Sequence, residues 1–227
     1  MWRSSPELFK KRVQVDERGT QTISTADQMQ KNDDPPPKEL DRFIEEAFKR
    51  PLNGKRVLWK KYRRWFTVLR VKKNATLLRE GEIARKVLFI MEGCLRTSFN
   101  ERGKDISTQF FFEHEVVASI ESFVTSRPST VSIRSVEPST LLVLQREGFD
   151  ALMRDVPSLK DAMLELAFRR FTHYSRLFLS YLRNNPRQRY LDLLKRDPRI
   201  IQRVPQHYIA SYLGITPVSL SRIRRKI

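Results

Sequence analysis

The chain has 227 residues, with 44 Lys and Arg against 26 Asp and Glu, and a formal net charge of +18. Such an excess of positive charge favours polyanions as partners and disfavours acidic ones. The single cysteine, Cys94, excludes an internal disulfide framework and a four-cysteine iron–sulfur cluster.

No apolar run approaches the length of a membrane-spanning helix, and the N-terminus lacks the apolar core of a signal peptide. We therefore expect a cytoplasmic protein with no membrane partner. A metal centre would need clustered ligands, but the three histidines fall in different predicted elements, namely His114, His173 and His207. Neither a metal nor a cofactor is predicted.

The N-terminal segment is predicted to be a tail without a fold of its own. Residues 1–38 are polar, poor in bulky apolar residues, and end near an Asp-Asp-Pro-Pro-Pro run. A segment of this composition cannot bury enough apolar surface to offset its chain entropy, so we expect it to be disordered. Apolar residues then recur over 40–48 at the spacing of an amphipathic helix, which Pro51 ends.

A basic, aromatic segment follows. Residues 50–73 contain ten Lys or Arg and no acidic residue, and they include Trp59, Tyr62 and Trp65. Positions 58, 62, 65 and 69 recur at helical spacing, which predicts a helix with its aromatic side chains in the core. Binding of nucleic acid by stacking on these aromatic rings is the alternative.

From about Thr67 to Gln145 the pattern changes to short strands separated by turn signals. The predicted strands span 68–73, 75–80, 86–93, 94–100, 105–112, 130–137 and 139–145. Strands of this number and spacing predict a small β-barrel or jelly roll. Cys94 follows Gly93 within this region, which predicts a buried structural thiol.

Helical patterning resumes at Gly148. A short helix over 149–153 precedes a long one, which begins at Ser158 and extends to about Asn185, before a proline. A further helix is predicted over 187–203.

Two apolar stripes follow the long helix. One has the alternating spacing of three and four residues that is typical of an a/d seam between helices, and it consists of Leu164, Ala167, Phe171, Tyr174, Phe178 and Tyr181. The other contains Leu159, Met163 and Leu166. Two stripes on one helix indicate two partners, so we predict that the second packs on the barrel and the first forms a dimer interface. Packing of the first stripe on the same barrel is the alternative.

The last 24 residues, 204–227, carry the most specific pattern. Ala210 lies in the apolar face of a short helix, and Gly214 follows where a tight turn needs a positive φ. Thr216 is a good N-cap, and Pro217 suits the first helical position. The second helix pairs an apolar face with a cationic one. These features predict a helix-turn-helix that enters a DNA major groove, and a helical hairpin that only packs is the alternative.

Barrel, long helix and C-terminal helix-turn-helix, in this order, resemble the Crp/Fnr family of bacterial transcription regulators over roughly residues 39–227. The resemblance rests on FFFEHEVVASIESFVTSRPSTVSIRS (110–135) and YIASYLGITPVSLSRIRRK (208–226), and on glycine turns at Gly81, Gly93 and Gly103. The second segment looks most like the branch of the family common in Bacteroidetes.

The resemblance implies an α+β fold: an N-terminal β-roll or jelly-roll barrel similar to a cyclic nucleotide-binding domain, a long dimerisation helix, and a C-terminal winged-type helix-turn-helix. The implied domains are a disordered tail (1–38), a sensor barrel with flanking helices (39–157), the dimerisation helix (158–185) and the DNA-binding domain (186–227).

In family members that bind cyclic nucleotides, a Gly-Glu pair and an Arg ten positions after the Glu line the pocket. Alignment on Phe123 and Pro128 puts Ala118 and Ser119 at the Gly-Glu pair and Ser129 at the arginine. The carboxylate for the ribose hydroxyl and the guanidinium for the phosphate are therefore missing. The resemblance implies a degenerate effector pocket that does not bind cAMP or cGMP, at Ala118, Ser119, Ser129 and Thr130.

By the same resemblance, positions 217, 218 and 222 face the bases. Arg222 could bind guanine through O6 and N7, and Val218 could contact a thymine methyl group. The other residues predicted to bind DNA contact phosphates or attract them by their positive charge. The complete predicted DNA-binding set is Gln206, Thr216, Pro217, Val218, Ser219, Arg222, Arg224, Arg225 and Lys226.

The sequence thus predicts a homodimeric, sequence-specific transcription regulator that recognises an inverted repeat in double-stranded DNA, and not an enzyme. RNA polymerase is a candidate partner, and the effector is unknown. The alternative from another class is a ligand-binding signalling module whose C-terminal helices contact a protein. A cupin-like enzyme would need a metal or a nucleophile–base pair, and the sequence offers neither cluster.

Overall fold

The computed structural model describes residues 29–31 and 62–227. The predicted helix at 40–48, most of the predicted tail and the first half of the basic, aromatic segment lie outside the described residues.

Nine strands are found in the described ranges. They are β1 (Met29–Lys31), β2 (Phe66–Val71), β3 (Thr76–Leu78), β4 (Lys86–Glu92), β5 (Leu95–Glu101), β6 (Lys104–Phe111), β7 (Val116–Val117), β8 (Ser132–Ser135) and β9 (Ser139–Gln145). They form two antiparallel sheets, one in the order β1-β2-β9-β4-β7 and one in the order β3-β8-β5-β6. All seven predicted strands are present, and the predicted β-roll is confirmed.

The core of the barrel is made from buried residues of both sheets. β9 is its central strand, paired with β2 on one side and β4 on the other, and its residues 141–144 are all buried. Consecutive burial means that both faces of the strand are covered, because successive side chains point to opposite faces. Partly buried Phe149 and Met153 of the following helix pack against this core.

Two strands were not predicted. β1 pairs with β2, with Met29 opposite Val71, so the prediction of disorder is wrong for residues 29–31. The backbone of residues 29–31 pairs with the open edge of β2. Pairing between backbone groups needs no hydrophobic pattern in the sequence, so the composition gave no sign of this strand. β7 has two residues, Val116 and Val117, which is too short for a periodicity to be read.

The helix predicted from the spacing of positions 58, 62, 65 and 69 overlaps the strand predicted from position 68, and the structure has the strand. A 3-10 turn at Arg63–Trp65 leads into β2 at Phe66, and β2 pairs with β9 over six residues. The prediction that aromatic side chains enter the core is confirmed, since Tyr62 and Phe66 are buried. Continuous strand pairing outweighed the helical spacing at this point.

Seven α-helices occur in the described part of the chain. They are α1 (Ile120–Thr125), α2 (Arg146–Asp155), α3 (Ser158–Arg183), α4 (Pro186–Arg196), α5 (Pro198–Arg203), α6 (Gln206–Tyr212) and α7 (Pro217–Arg224). The single helix predicted over 187–203 is two, because Pro198 lacks an amide hydrogen and disfavours helical geometry at Asp197, whose φ is −146°. All regular structure from Arg146 to Ile227 is helical, so the described chain has a helix-turn-helix without wing strands.

The long helix α3 begins against the barrel. Leu159 is buried in the barrel core, and Met163 and Leu166 are half-buried on the same side of the helix. The prediction that this stripe faces the barrel is therefore confirmed.

Candidate functional site

The turn between α6 and α7 has the predicted local geometry. The Thr216 hydroxyl accepts a hydrogen bond from the Ser219 amide at 3.1 Å, and Pro217 occupies the first turn of α7. Gly214 has a φ of +64°, and a Cβ there would lie 3.1 Å from the ring of Tyr181. Glycine thus meets both a backbone and a packing requirement in this turn.

The inner faces of α6 and α7 form a small apolar core. Ile209, Ala210, Leu213 and Leu220 are buried, and Ile223 is half-buried. This core fixes α7 against α6 and turns the opposite face of α7 to solvent. The apolar face that was predicted for the second helix is confirmed.

The outer face of α7 is open and cationic. Eight residues of the predicted DNA-binding set are exposed, and Ser219 is half-buried beside its cap. Val218, at 61% exposed, is the apolar member of this face. The four cationic members form no ion pair with any described residue: Arg222, Arg224, Arg225 and Lys226. An unpaired cationic helix face is suited to bind a phosphate backbone.

The predicted effector pocket is closed. Ser129 donates a hydrogen bond to the Ser119 hydroxyl at 2.8 Å, and both residues are buried. The Gly81 amide donates to the Ser129 carbonyl at 2.7 Å, and the Ser129 amide donates to the Glu82 carbonyl at 2.8 Å. The cavity next to Ser119 measures about 10 Å³, room for about one water molecule.

The structure thus brings together two of the four predicted pocket residues. Ala118 is half-buried beside Ser119, whereas Thr130 is exposed. Arg127 is exposed as well, and no arginine is among the described residues that line the cavity beside Ser119. What remains is a pair of hydroxyls with their hydrogen bonds made to protein.

The predicted seam on α3 is an exposed apolar stripe. Its six predicted members are all exposed, and Phe171 and Phe178 are 72% and 64% exposed. Phe168 and Leu182, at 62% and 67%, extend the stripe, and sequence reasoning missed them. They follow positions 164 and 178 by four residues, a helical spacing that would have found them.

Tyr181 at the end of the seam also contacts the helix-turn-helix. Its hydroxyl donates to the carbonyl of Tyr212, and the guanidinium of Arg189 lies 5.1 Å from the centre of its ring. The seam and the turn before α7 are therefore linked through one side chain.

Sequence reasoning missed an ionic cluster that joins the barrel to the C-terminal helices. Arg203 of α5 donates to both carboxylate oxygens of Glu113, at 2.6 and 2.9 Å, and it also pairs with Glu137. Glu113 in addition accepts from the Gly93 amide at 2.9 Å. Hydrogen bonding to Arg203 lowers the pKa of Glu113 to about 2, so the carboxylate is ionised at neutral pH.

A second set of contacts joins β6 and its neighbour β5 to α6. Ser211 accepts from the Ser107 amide at 3.2 Å, and Phe110 packs edge-on against Tyr212, with ring centres 5.4 Å apart. Buried Arg96 lies 3.8 Å from the ring centre of Tyr208. The C-terminal helices therefore dock on the barrel through polar, aromatic and ionic contacts together.

The predicted buried thiol is confirmed. Cys94 is fully buried, and burial, followed by the nearby charge of Glu137, raises the pKa of its thiol to about 12. A thiol of this kind is protonated and inert at neutral pH. Among the residues that the structure describes, no group of three or more His, Cys, Asp and Glu is arranged to hold a metal, and no helix could span a membrane.

A family model for the cyclic nucleotide-binding domain matches residues 68–156, which cover the barrel and α2. No curated protein sequence matches the chain.

Several solved structures of transcription regulators have a similar fold. A protein from Eubacterium rectale assigned to the Crp/Fnr family has a TM-score of 0.65 at 20% identity, covering 80% of this chain and 87% of its own. CLP of Xanthomonas campestris, a c-di-GMP responsive global regulator, has a TM-score of 0.61 at 17% identity, covering 80% and 90%. A mutant of CooA from Carboxydothermus hydrogenoformans has a TM-score of 0.61 at 15% identity, covering 87% and 85%. At these identities the likeness is one of fold.

Proposed function

We propose that this chain, which combines a cyclic nucleotide-binding domain with the fold of the Crp/Fnr regulators, is a homodimeric, sequence-specific DNA-binding transcription regulator. The observation that carries the proposal is the outer face of α7, which is exposed, cationic and unpaired among the described residues. The similar structures are regulators rather than enzymes, which supports a binding role.

In the proposed complex, α7 lies in the major groove. Arg222 projects from the middle of its exposed face and binds the O6 and N7 atoms of guanine, and Val218, one turn earlier, contacts a thymine methyl group. Thr216 and Ser219 at the start of the helix and Gln206 at the start of α6 contact phosphates. Arg224, Arg225 and Lys226 add attraction that does not depend on sequence.

The exposed stripe on α3 supports the homodimer. Joining two copies through this stripe would bury its phenylalanines and present two α7 helices on one side of the dimer. A two-fold dimer reads an inverted repeat whose half-sites lie about 34 Å apart, one turn of DNA.

We further propose that the barrel does not bind cAMP or cGMP. The hydrogen bond between Ser119 and Ser129 and the small cavity beside it support this, because a nucleotide would have to break the first and enlarge the second. A bound phosphate would also lack an arginine partner.

The proposal is tested by a random-oligonucleotide selection on the full chain at physiological salt, with and without cAMP. We expect an enriched inverted repeat that is bound equally well in both conditions. Arg222→Ala should weaken binding by about 1–3 kcal/mol and relax the preference at one base pair in each half-site. The matched control is Arg127→Ala, which removes an exposed arginine from the barrel and should leave both affinity and preference unchanged.

The possible outcomes separate the alternatives. Unaltered affinity and base preference for Arg222→Ala would contradict the assignment of α7 as the reading helix. Enrichment only in the presence of cAMP would refute the closed pocket. A chain that selects no DNA, but binds a protein partner with little dependence on salt, would be the signalling module instead.

A further inference from the structure

A second cavity, of about 560 Å³, lies on the other face of the barrel wall from Ser119. Val87 and Phe89 of β4 line it, whereas Lys86 and Leu88 line the small cavity beside Ser119. Successive residues of a strand point to opposite faces of its sheet, so the two cavities are separate sites. The larger one has the size of a small-molecule site.

Three parts of the chain form the walls of this cavity. The barrel provides β4, α3 provides Leu159, Met163 and Leu166, and the C-terminal helices provide Leu193, Ile200 and Tyr212. None of the six predicted seam positions lines it. One end of the cavity nevertheless lies beside the seam, because His173 and Arg196 also line a groove with Leu164 of the stripe.

Two buried polar atoms in the walls lack a hydrogen-bond partner among the described residues. They are the side-chain oxygen of Gln109, a residue 4% exposed, and Nε2 of His173. Both residues line the cavity. A buried polar atom without a partner is unfavourable, and in the ligand-free protein both atoms are closed to water. A ligand with polar atoms would relieve this arrangement once the two side chains turn towards the cavity that their residues line.

The charges around His173 indicate the sign of that ligand. Burial and the positive charges of Arg196, Arg170 and Arg176 lower its pKa, so the site disfavours a further cation. Arg170 is engaged with the Val116 carbonyl and with Glu115, whereas Arg196 at the cavity forms no ion pair with a described residue. An anionic group beside His173 would meet Arg196 and accept hydrogen bonds from both side chains.

We propose that this cavity binds an amphipathic organic acid. The apolar body of the ligand would lie between β4, α2 and the inner stripe of α3, and its carboxylate would lie near His173 and Arg196. The Gln109 side-chain amide would bond to a polar atom along the body or at the carboxylate. The site does not depend on the proposed DNA binding, so its test uses no DNA.

The test is calorimetric titration of the full-length protein with decanoate, and with decanol as the neutral molecule of equal chain length. We expect saturable binding of one decanoate per chain and binding of decanol about tenfold weaker. His173→Phe should weaken decanoate binding about tenfold or more, and Met163→Trp should abolish it by filling the cavity. Val124→Ala, which shortens an exposed side chain of α1 outside the cavity, is the control and should change nothing.

Gln109→Leu keeps the test decisive if the tryptophan variant does not fold. This variant replaces an amide whose buried oxygen has no partner among the described residues with an apolar group, so it should raise the melting temperature of the ligand-free protein while it weakens decanoate binding. A purely structural glutamine would lower the melting temperature instead. Absence of saturable binding, equal binding of decanol, or decanoate binding that survives His173→Phe and Gln109→Leu unchanged would overturn the proposal.

Discussion

Truncation of Phe171 should disrupt self-association through α3. A phenylalanine exposes about 200 Å² when free, so 72% exposure leaves about 140 Å² for a partner to cover. At about 25 cal/mol per Å², this burial is worth up to about 3.5 kcal/mol in each protomer. A dimer loses two such contacts, but the cost of ordering side chains and the area that alanine retains lower the total loss to about 3–4 kcal/mol. The dissociation constant of the dimer should therefore rise about 10²–10³-fold.

Sedimentation equilibrium across a range of protein concentrations measures this effect directly. Val124→Ala, which shortens an apolar side chain of α1 that is 66% exposed and lies outside the stripe, is the control and should retain the dissociation constant of the unaltered chain. Circular dichroism should be unchanged in both variants, because Phe171 makes little contact within its own chain. The reasoning fails if the unaltered protein is monomeric at tens of micromolar, or if Phe171→Ala dimerises as tightly as the control.

Two further predictions concern the ionic cluster and the closed pocket. The pKa of Glu113 is about 2 instead of the ordinary 4.5, so its contribution to stability is present above pH 4.5 and is lost as the pH falls towards 2. With solvent access to this partly exposed pair taken into account, we expect Glu113→Gln to lower the free energy of unfolding at pH 7 by about 1–2 kcal/mol, and the difference to shrink below pH 4.5. Urea denaturation measures this, with Glu101→Gln as the exposed control, and a pH-independent difference would contradict it. For the pocket, about 1 mM cAMP should stabilise the chain by less than about 0.4 kcal/mol in a thermal melt, as expected for a dissociation constant above 1 mM, and a larger shift would show a functional nucleotide site.

The helix-turn-helix and most of the strands could be predicted because their determinants are local. Thr216, Pro217 and Gly214 act within one turn of the chain, where each residue favours the geometry that its neighbours also require. The strands of the barrel could be recognised for a similar reason, since most are bounded by turn residues. The stripe on α3 was visible as well, because a helix converts sequence spacing into one face.

Local patterns were misleading where pairing with a distant strand decided the backbone. The helical spacing through position 69 gave way to the pairing of β2 with β9, and residues 29–31 joined β2 although their composition had indicated disorder. In both cases backbone hydrogen bonds of a sheet were decisive, and these depend on which edge is nearby rather than on which side chains are present.

The sequence alone determined the order of the parts, the capped turn and the cationic face of α7, since these follow from residues a few positions apart. Only the tertiary structure decided how the parts meet. Arg203 lies 90 positions from Glu113, Ser211 lies 104 positions from Ser107, and the large cavity is lined by three separate parts of the chain. Such contacts depend on the packing of the whole chain, and no periodicity or spacing in the sequence records which distant side chains that packing will bring together.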